Sequence, residues 1–196
     1  MKKIITILTA AFICVSVKSA QIDWSVAANS VTQAFTYDGQ TGSITSRNGL
    51  NVYFMFADDV ELFRSAYAGG GDYSSYVLET KQTTNAGGAV PNHTLKNAGL
   101  NPYIGENDFA VIITITINAT NSTGIDSEYY GEYYAYLGNV SQVIQSDTNE
   151  SLKAAFAIGN NQTGWVPINT PIPVPEPATA AMALAGLALL FRRKRK

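Results

Sequence analysis

Cysteine and histidine are nearly absent from this chain of 196 residues, which contains one of each. The cysteine, Cys14, lies in the first apolar stretch, so the rest of the chain has no thiol for a disulfide or a zinc ion. The histidine, His93, lies in residues 90–94, which we interpret as a surface loop, and no Gly-x-Ser-x-Gly motif accompanies it. The glycine run 69–71 lacks the lysine of a phosphate-binding loop. We therefore expect no catalytic residues and no metal site.

Basic side chains are also scarce outside the two ends of the chain. Eight of the thirteen Lys and Arg residues lie in residues 1–18 and 192–196, whereas all fifteen Asp and Glu residues lie between these ends. Residues 21–177 thus carry five basic side chains against fifteen acidic ones, a formal charge of −10. Such a surface repels phosphate backbones, so nucleic acid is not expected as a partner, whereas a neutral polysaccharide is tolerated.

Residues 1–20 have the three parts of a secretory signal peptide. Lys2 and Lys3 are followed by an apolar run over 4–17 and then by small residues that end at Ala20. Signal peptidase is therefore an expected partner, with cleavage after Ser19 or after Ala20. Lipidation of Cys14 is not expected, because the two residues before it are large.

The C-terminal end has a second set of three segments. Four prolines in residues 171–177 disfavour a helix and predict an extended spacer. Residues 178–191 contain no charge and predict a short helix of the transmembrane type, about 21 Å long against a hydrocarbon core of about 30 Å. Five basic residues then predict a cytoplasmic stop-transfer tail. They are Arg192, Arg193, Lys194, Arg195 and Lys196.

This C-terminal arrangement resembles the PEP-CTERM sorting signal of exopolysaccharide-producing bacteria. Pro175, Glu176 and Pro177 match its three-residue core, 178–191 its helix and 192–196 its basic tail. The resemblance implies recognition by an exosortase-type membrane processing enzyme, which would remove the tail and release the protein or attach it at the surface. It also implies transient or lasting anchoring in the inner membrane through the helix. A plain membrane anchor is the alternative.

Residues 21–170 are expected to form one acidic, β-rich extracellular domain. Residues 111–118 alternate between apolar and polar side chains, as in a half-buried strand, and several weaker runs resemble them. Turn residues such as Asp38-Gly39 separate these runs. The pattern predicts a mainly β fold, an antiparallel sandwich or roll. The weaker strand runs are 22–28, 31–37, 51–57, 129–137, 140–145, 152–158 and 164–168.

A small helical insertion is predicted over about 58–80. Asp58 and Asp59 precede apolar residues at helical spacing, and the glycines 69–71 would end the helix.

Tyrosines and carboxylates are the candidate binding residues of the domain. Strand alternation places Tyr130, Glu132, Tyr134 and Tyr136 on one face, where exposed rings would form a platform for a saccharide. Packing within a sheet core explains the same tyrosines without a ligand. Acidic groups at 58–61, 126–132 and 147–150 are candidate calcium ligands, although solvated turns are the simpler explanation for them.

The sequence thus predicts an exported protein of the cell envelope, cell surface or extracellular matrix. A non-catalytic structural or carbohydrate-binding role, associated with exopolysaccharide, is the first hypothesis. A small polysaccharide-active enzyme that uses two carboxylates is the alternative.

Overall fold

The protein is described by a computed structural model over residues 19–146, 153–156 and 164–169. This part of the chain contains eleven strands, one α-helix and several short 3₁₀ turns. The strands are β1 Ala20–Val26, β2 Ala34–Tyr37, β3 Gln40–Ile44, β4 Asn51–Phe56, β5 Glu79–Gln82, β6 Val90–Asn97, β7 Gly105–Ile117, β8 Ser122–Thr123, β9 Gly131–Ser146, β10 Lys153–Phe156 and β11 Val166–Pro167; the helix α1 is Val60–Ala68.

The strands form two sheets, which confirms the mainly β, antiparallel fold predicted with one small helix. The large sheet has the order β10-β1-β9-β7-β4-β5, with β6 added to β1 and β11 added to β9. The pairing of β1 with β10 is parallel, and the other pairings within the described residues are antiparallel. The strands β2, β3 and β8 form the small sheet. The strand β1 begins at Ala20, the second described residue, and the boundary between signal segment and domain stays a prediction.

The centre of the large sheet is the pair β7 and β9. Alternation places Val111, Ile113 and Ile115 in the main core, as predicted. The opposite face of β7 was expected to be polar and solvated, but Ile112 has no exposed surface and Thr114 is 6% exposed. Both faces of this strand are therefore covered, as in a sheet that lies between two layers.

A β-bulge interrupts the pairing of β7 with β9. Phe109 pairs with Val140 and Val111 with Leu137, so two residues of β9 oppose one of β7. One of them, Asn139, adopts a φ of 59°, which asparagine tolerates better than most residues. The two runs 129–137 and 140–145, predicted as separate strands, are therefore one bent strand.

The two ends of the large sheet meet at Glu79 of β5, so the sheet is rolled. One carboxylate oxygen accepts a hydrogen bond from Trp24 Nε1 at 2.7 Å. The other oxygen lies 2.9 Å from Lys81 Nζ and 2.9 Å from His93 Nε2. Trp24 belongs to β1 and His93 to β6, which is added to β1, whereas Glu79 belongs to β5 at the end of the sheet order. This carboxylate therefore links the β1–β6 side of the sheet to its β5 end. Trp24 is fully buried and stacks on Phe54 at 4.7 Å.

The interpretation of residues 90–94 as a loop is wrong. His93 lies in β6 and pairs with Trp24 across the sheet. The polar composition of this stretch and its proline concealed the strand, because within the described residues β6 pairs along one edge only and an edge strand accepts both features.

The helical insertion is confirmed, with narrower bounds. A 3₁₀ turn over Ala57–Asp59 leads into α1, a second 3₁₀ turn spans Ser74–Tyr76, and β5 already occupies the last two positions of the predicted range. The helix ends before Gly70, whose φ of 67° favours glycine. Asp59 occupies the N-cap position but its side chain makes no capping hydrogen bond.

The predicted signal segment, apart from its last two residues, lies outside the described residues, as do the spacer 171–177, the apolar segment 178–191 and the basic tail 192–196. Among the described residues, no helix combines the length and apolar character required to cross a membrane.

Replacing Glu79 with alanine tests the closure of the rolled sheet. The variant leaves the buried Trp24 N–H without its acceptor, so we expect the free energy of unfolding to fall by about 1–3 kcal/mol. Glu79→Gln retains an acceptor oxygen and should lose less. Lys81→Ala, which removes only a partly exposed ion pair, should lose less than about 1 kcal/mol. Urea unfolding followed by tryptophan fluorescence measures these changes, and equal stability of the alanine variant and the parent would contradict the closure.

Candidate functional site

The tyrosine face predicted as a saccharide platform is covered. Tyr134 has no exposed surface and Tyr136 is 5% exposed, whereas Tyr130 is 38% exposed and precedes β9. As strand alternation predicts, Tyr134 and Tyr136 lie on one face of β9, in a cluster apart from the main core. The prediction that this face is an exposed platform is wrong, because α1 packs on it through Val60 and Phe63. The rings of Tyr134 and Tyr136 are therefore unavailable for stacking on a sugar.

These two tyrosines contribute to packing instead. The guanidinium of Arg64 in α1 lies 4.8 Å from the ring centre of Tyr134. The ring of Tyr136 occupies the space that a side chain at Gly138 would need. Burial raises the pKa of Tyr134 to about 12, with a smaller opposing effect from Arg64, so both the position and the ionisation of this phenol fit a neutral core residue.

Residues 164–169, which we call the docked segment, contact both apolar clusters of the domain. Trp165 is 2% exposed and packs in the main core, whereas Ile168 is 8% exposed and packs in the cluster that contains Tyr134 and Tyr136. The strand β11 pairs with β9. The Ile168 amide donates to the Glu132 carbonyl at 3.2 Å, and the Ile168 carbonyl accepts from Arg64 Nη2 at 3.1 Å. This segment is therefore anchored to both α1 and β9 at the last described part of the chain.

A cleft of about 380 Å³ lies where β4 ends and β7 begins. We call it the Tyr103 cleft. It is lined by Phe56, Asp58, Asp59, Tyr103, Glu106, Asn107 and Asp108. Two chain segments about fifty residues apart thus place two aromatic rings beside four carboxylates and one amide.

The geometry of the Tyr103 cleft is that of a partly exposed aromatic site. The ring of Tyr103 is 49% exposed and lies 4.7 Å from the ring of Phe56. The Asn107 side chain donates to the carbonyls of Tyr103 at 2.8 Å and Gly105 at 2.9 Å, which holds the turn that carries the ring. An exposed ring can stack on the apolar face of a sugar while carboxylates accept hydrogen bonds from its hydroxyls.

The carboxyl of Asp59 lies half-buried in this cleft. Partial burial raises its pKa, and the neighbouring charge of Asp58 raises it further. Sequence reasoning had noted Asp58 and Asp59 but not Tyr103, Glu106 or Asp108. The two parts of the cleft come together only in the fold, so a local pattern gave no signal for it.

The other predicted sites are dispersed. Glu132 is exposed at the start of β9 and its side chain is not part of the Tyr103 cleft. Asp147 and Glu150 lie outside the described residues. In the ranges that the structure describes, no three His, Cys, Asp or Glu side chains converge as metal ligands would. Calcium binding stays a prediction without a located site.

Comparison with known proteins identifies the C-terminal end. The family model of the PEP-CTERM protein-sorting motif matches residues 173–196. This chain carries a PEP-CTERM sorting motif. The PEP-CTERM motif includes Pro175, Glu176 and Pro177 and begins four residues after Asn169, the last residue of the docked segment. It implies export, membrane-associated sorting and processing by an exosortase-type enzyme. No curated protein and no solved structure matches the chain.

Replacing Asp59 with asparagine tests the electrostatics of the Tyr103 cleft. Because the pKa of Asp59 is raised in the folded state, ionisation favours the unfolded chain, and the resulting loss of stability develops as the pH rises from 3.8 through the raised pKa. Asp59→Asn should therefore raise the melting temperature at pH 7, and the gain should shrink towards pH 3.5. Asp126→Asn at an exposed turn is the control, with no expected change. A pH-independent effect of Asp59→Asn would contradict this assignment.

Proposed function

We propose that this protein is an exported, exosortase-processed component of the cell surface or extracellular matrix, with a non-enzymatic β domain. The observation that carries this proposal is the PEP-CTERM match at residues 173–196, which directly follows a domain whose last described residues are anchored.

The charge of the domain supports an extracellular, polysaccharide-associated role. The domain, residues 21–170, carries five basic and fourteen acidic side chains, so it is repelled by anionic headgroups and nucleic acid. Neutral polysaccharide presents no such charge. The absence of cysteine from residues 21–170 also makes the domain independent of the redox state of its surroundings.

The Tyr103 cleft, rather than the tyrosine face of β9, is the best-supported site for carbohydrate binding. An exposed tyrosine backed by a second ring and surrounded by hydrogen-bond acceptors suits a neutral sugar. The volume of about 380 Å³ falls within the usual range of small-ligand sites.

A polysaccharide-active enzyme is the second candidate, and Asp59 is the observation that favours it. Glycoside hydrolysis needs one carboxyl that stays protonated and a second one that is ionised. Asp59, with its raised pKa, lies in a cleft that also contains Asp58, Glu106 and Asp108. Release of reducing ends from matrix polysaccharide by the parent protein, and its loss in Asp59→Asn, would establish this candidate.

Glu176→Ala tests the sorting function. The substitution removes the one charge of the three-residue core and leaves the apolar segment 178–191 intact. We expect membrane insertion to continue while processing is strongly reduced. The mass and location of the mature protein, in cells with and without the exosortase-type enzyme, measure the effect.

Glu128→Ala is the matched control for Glu176→Ala, because it removes an exposed carboxylate from the domain and should be processed normally. Removing residues 192–196 should instead impair retention or orientation before processing. An intact C-terminus in both kinds of cell, with the protein permanently embedded, would show that the tail is only an anchor.

Tyr103→Ala tests binding at the cleft. Loss of a stacking ring should weaken retention of the mature protein on matrix polysaccharide by about two- to tenfold. Tyr130→Ala is the matched control, since this tyrosine is also partly exposed but belongs to the earlier platform hypothesis. Affinity electrophoresis in a gel that contains the polysaccharide compares the variants. An effect of Tyr130→Ala without one of Tyr103→Ala would reverse the assignment.

A further inference from the structure

The last anchored residue of the domain lies very close to the sorting motif along the chain. Both backbone polar groups of Ile168 are hydrogen-bonded. Its amide donates to the Glu132 carbonyl of β9, and its carbonyl accepts from the Arg64 side chain of α1. The side chain of Ile168 is 8% exposed. The next residue, Asn169, is exposed. The part of the chain between the last anchored residue and the PEP-CTERM motif therefore begins at Asn169.

Covalent geometry limits the length of this connection. Six residues lie between Ile168 and Pro175, so seven Cα–Cα steps connect the two. A fully extended chain spans at most about 3.6 Å per residue, so the motif lies no farther than about 25 Å from Ile168. A domain of roughly 150 residues has a radius of gyration of about 15 Å. The connection is therefore too short for the far side of the domain to turn towards the motif.

We propose that the docked segment sets the reach of the sorting motif, so that the end of the domain formed by α1 and β11 faces the exosortase-type enzyme during processing. This inference rests on the proposed processing of the chain. It assigns to Arg64 of α1 the role of positioning the domain relative to the membrane.

The surface that this geometry turns towards the enzyme has a defined character. A shallow cavity of about 230 Å³ lies beside the exit of the chain, lined by Glu61, Arg64, Ser65, Ala68, Ile168 and Asn169. The Glu61 side chain is 59% exposed, and Leu62 next to it is 52% exposed. Since a carboxylate is repelled by anionic headgroups, this surface fits a protein partner within the membrane better than the lipid itself.

Undocking of the docked segment would lengthen the connection between the domain and the sorting motif. If residues 164–169 leave β9 and α1, the connection lengthens by six residues, which adds up to about 20 Å. Undocking should therefore compensate for a spacer that is too short, whereas it should have little effect when the spacer has its normal length.

Deletion of residues 170–172 tests whether the distance between the domain and the sorting motif limits processing. This deletion leaves the matched motif 173–196 intact and shortens the connection to about 14 Å. The full chain is expressed with the exosortase-type enzyme, and the rate of C-terminal processing is followed by pulse–chase and mass spectrometry. We expect processing to slow several-fold. Replacement of the same three residues with Gly-Ser-Gly is the matched control and should be processed at the parental rate.

Undocking should rescue the deletion. Arg64→Met keeps aliphatic bulk over Tyr134 but removes the donor to the Ile168 carbonyl, and Ile168→Ser weakens the same attachment from the other side. We expect either substitution to restore processing of the shortened chain. Comparable export and accumulation of each variant serves as the folding control.

Three results would overturn the inference. They are parental processing of the shortened chain, slow processing of the Gly-Ser-Gly control, and failure of both undocking variants to rescue processing while the exported proteins accumulate normally. An unprocessed parent chain in the presence of the enzyme would instead overturn the proposed processing, and with it the inference that the docked segment sets the reach of the motif.

Discussion

Burial of β7 and β9 on both faces is the constraint on which the rest of the structure depends. The inner face places Ile113, Ile115 and Leu137 in the main core, which the rolled sheet encloses. The outer face carries Ile112, Tyr134 and Tyr136, which would remain exposed in a simple two-layer arrangement. Because this apolar surface has to be removed from water, α1 and the docked segment are required as a covering layer.

Arg64 connects the covering layer to the sheet beneath it. Arg64 of α1 contacts the ring of Tyr134 in the sheet, the carboxylate of Glu61 in its own helix at 3.1 Å and the carbonyl of Ile168 in the docked segment. A guanidinium suits this position because it stacks on an aromatic face and donates in several directions in its own plane. The same residue thus links helix, sheet and the exit of the chain towards the sorting motif.

Local patterns predicted the parts of this protein that are encoded locally. Alternation over 111–118 identified β7, helical spacing after Asp58 identified α1, and three contiguous residues with their flanks identified the sorting motif. Alternation alone does not reveal what covers a face, so Tyr134 and Tyr136 had the same signature as an exposed platform. Their cover comes from α1, about seventy residues earlier in the chain.

The Tyr103 cleft was missed for the same physical reason. Its carboxylates at 58–59 and its ring at Tyr103 belong to separate turns, which the pairing of β4 with β7 brings together. The strand β6 was missed because its polar residues face solvent along an edge of the sheet, where an apolar period is unnecessary. Pairing across the sheet, rather than local preference, determines both features.

Amide hydrogen exchange of the mature protein tests the central claim most directly, namely that the docked segment is an integral part of the domain. The account predicts that the Ile168 amide, which donates to Glu132, is protected together with the amides of α1 and β9. Exchange of residues 164–169 at the rate of a free peptide, while β7 and β9 remain protected, would contradict it.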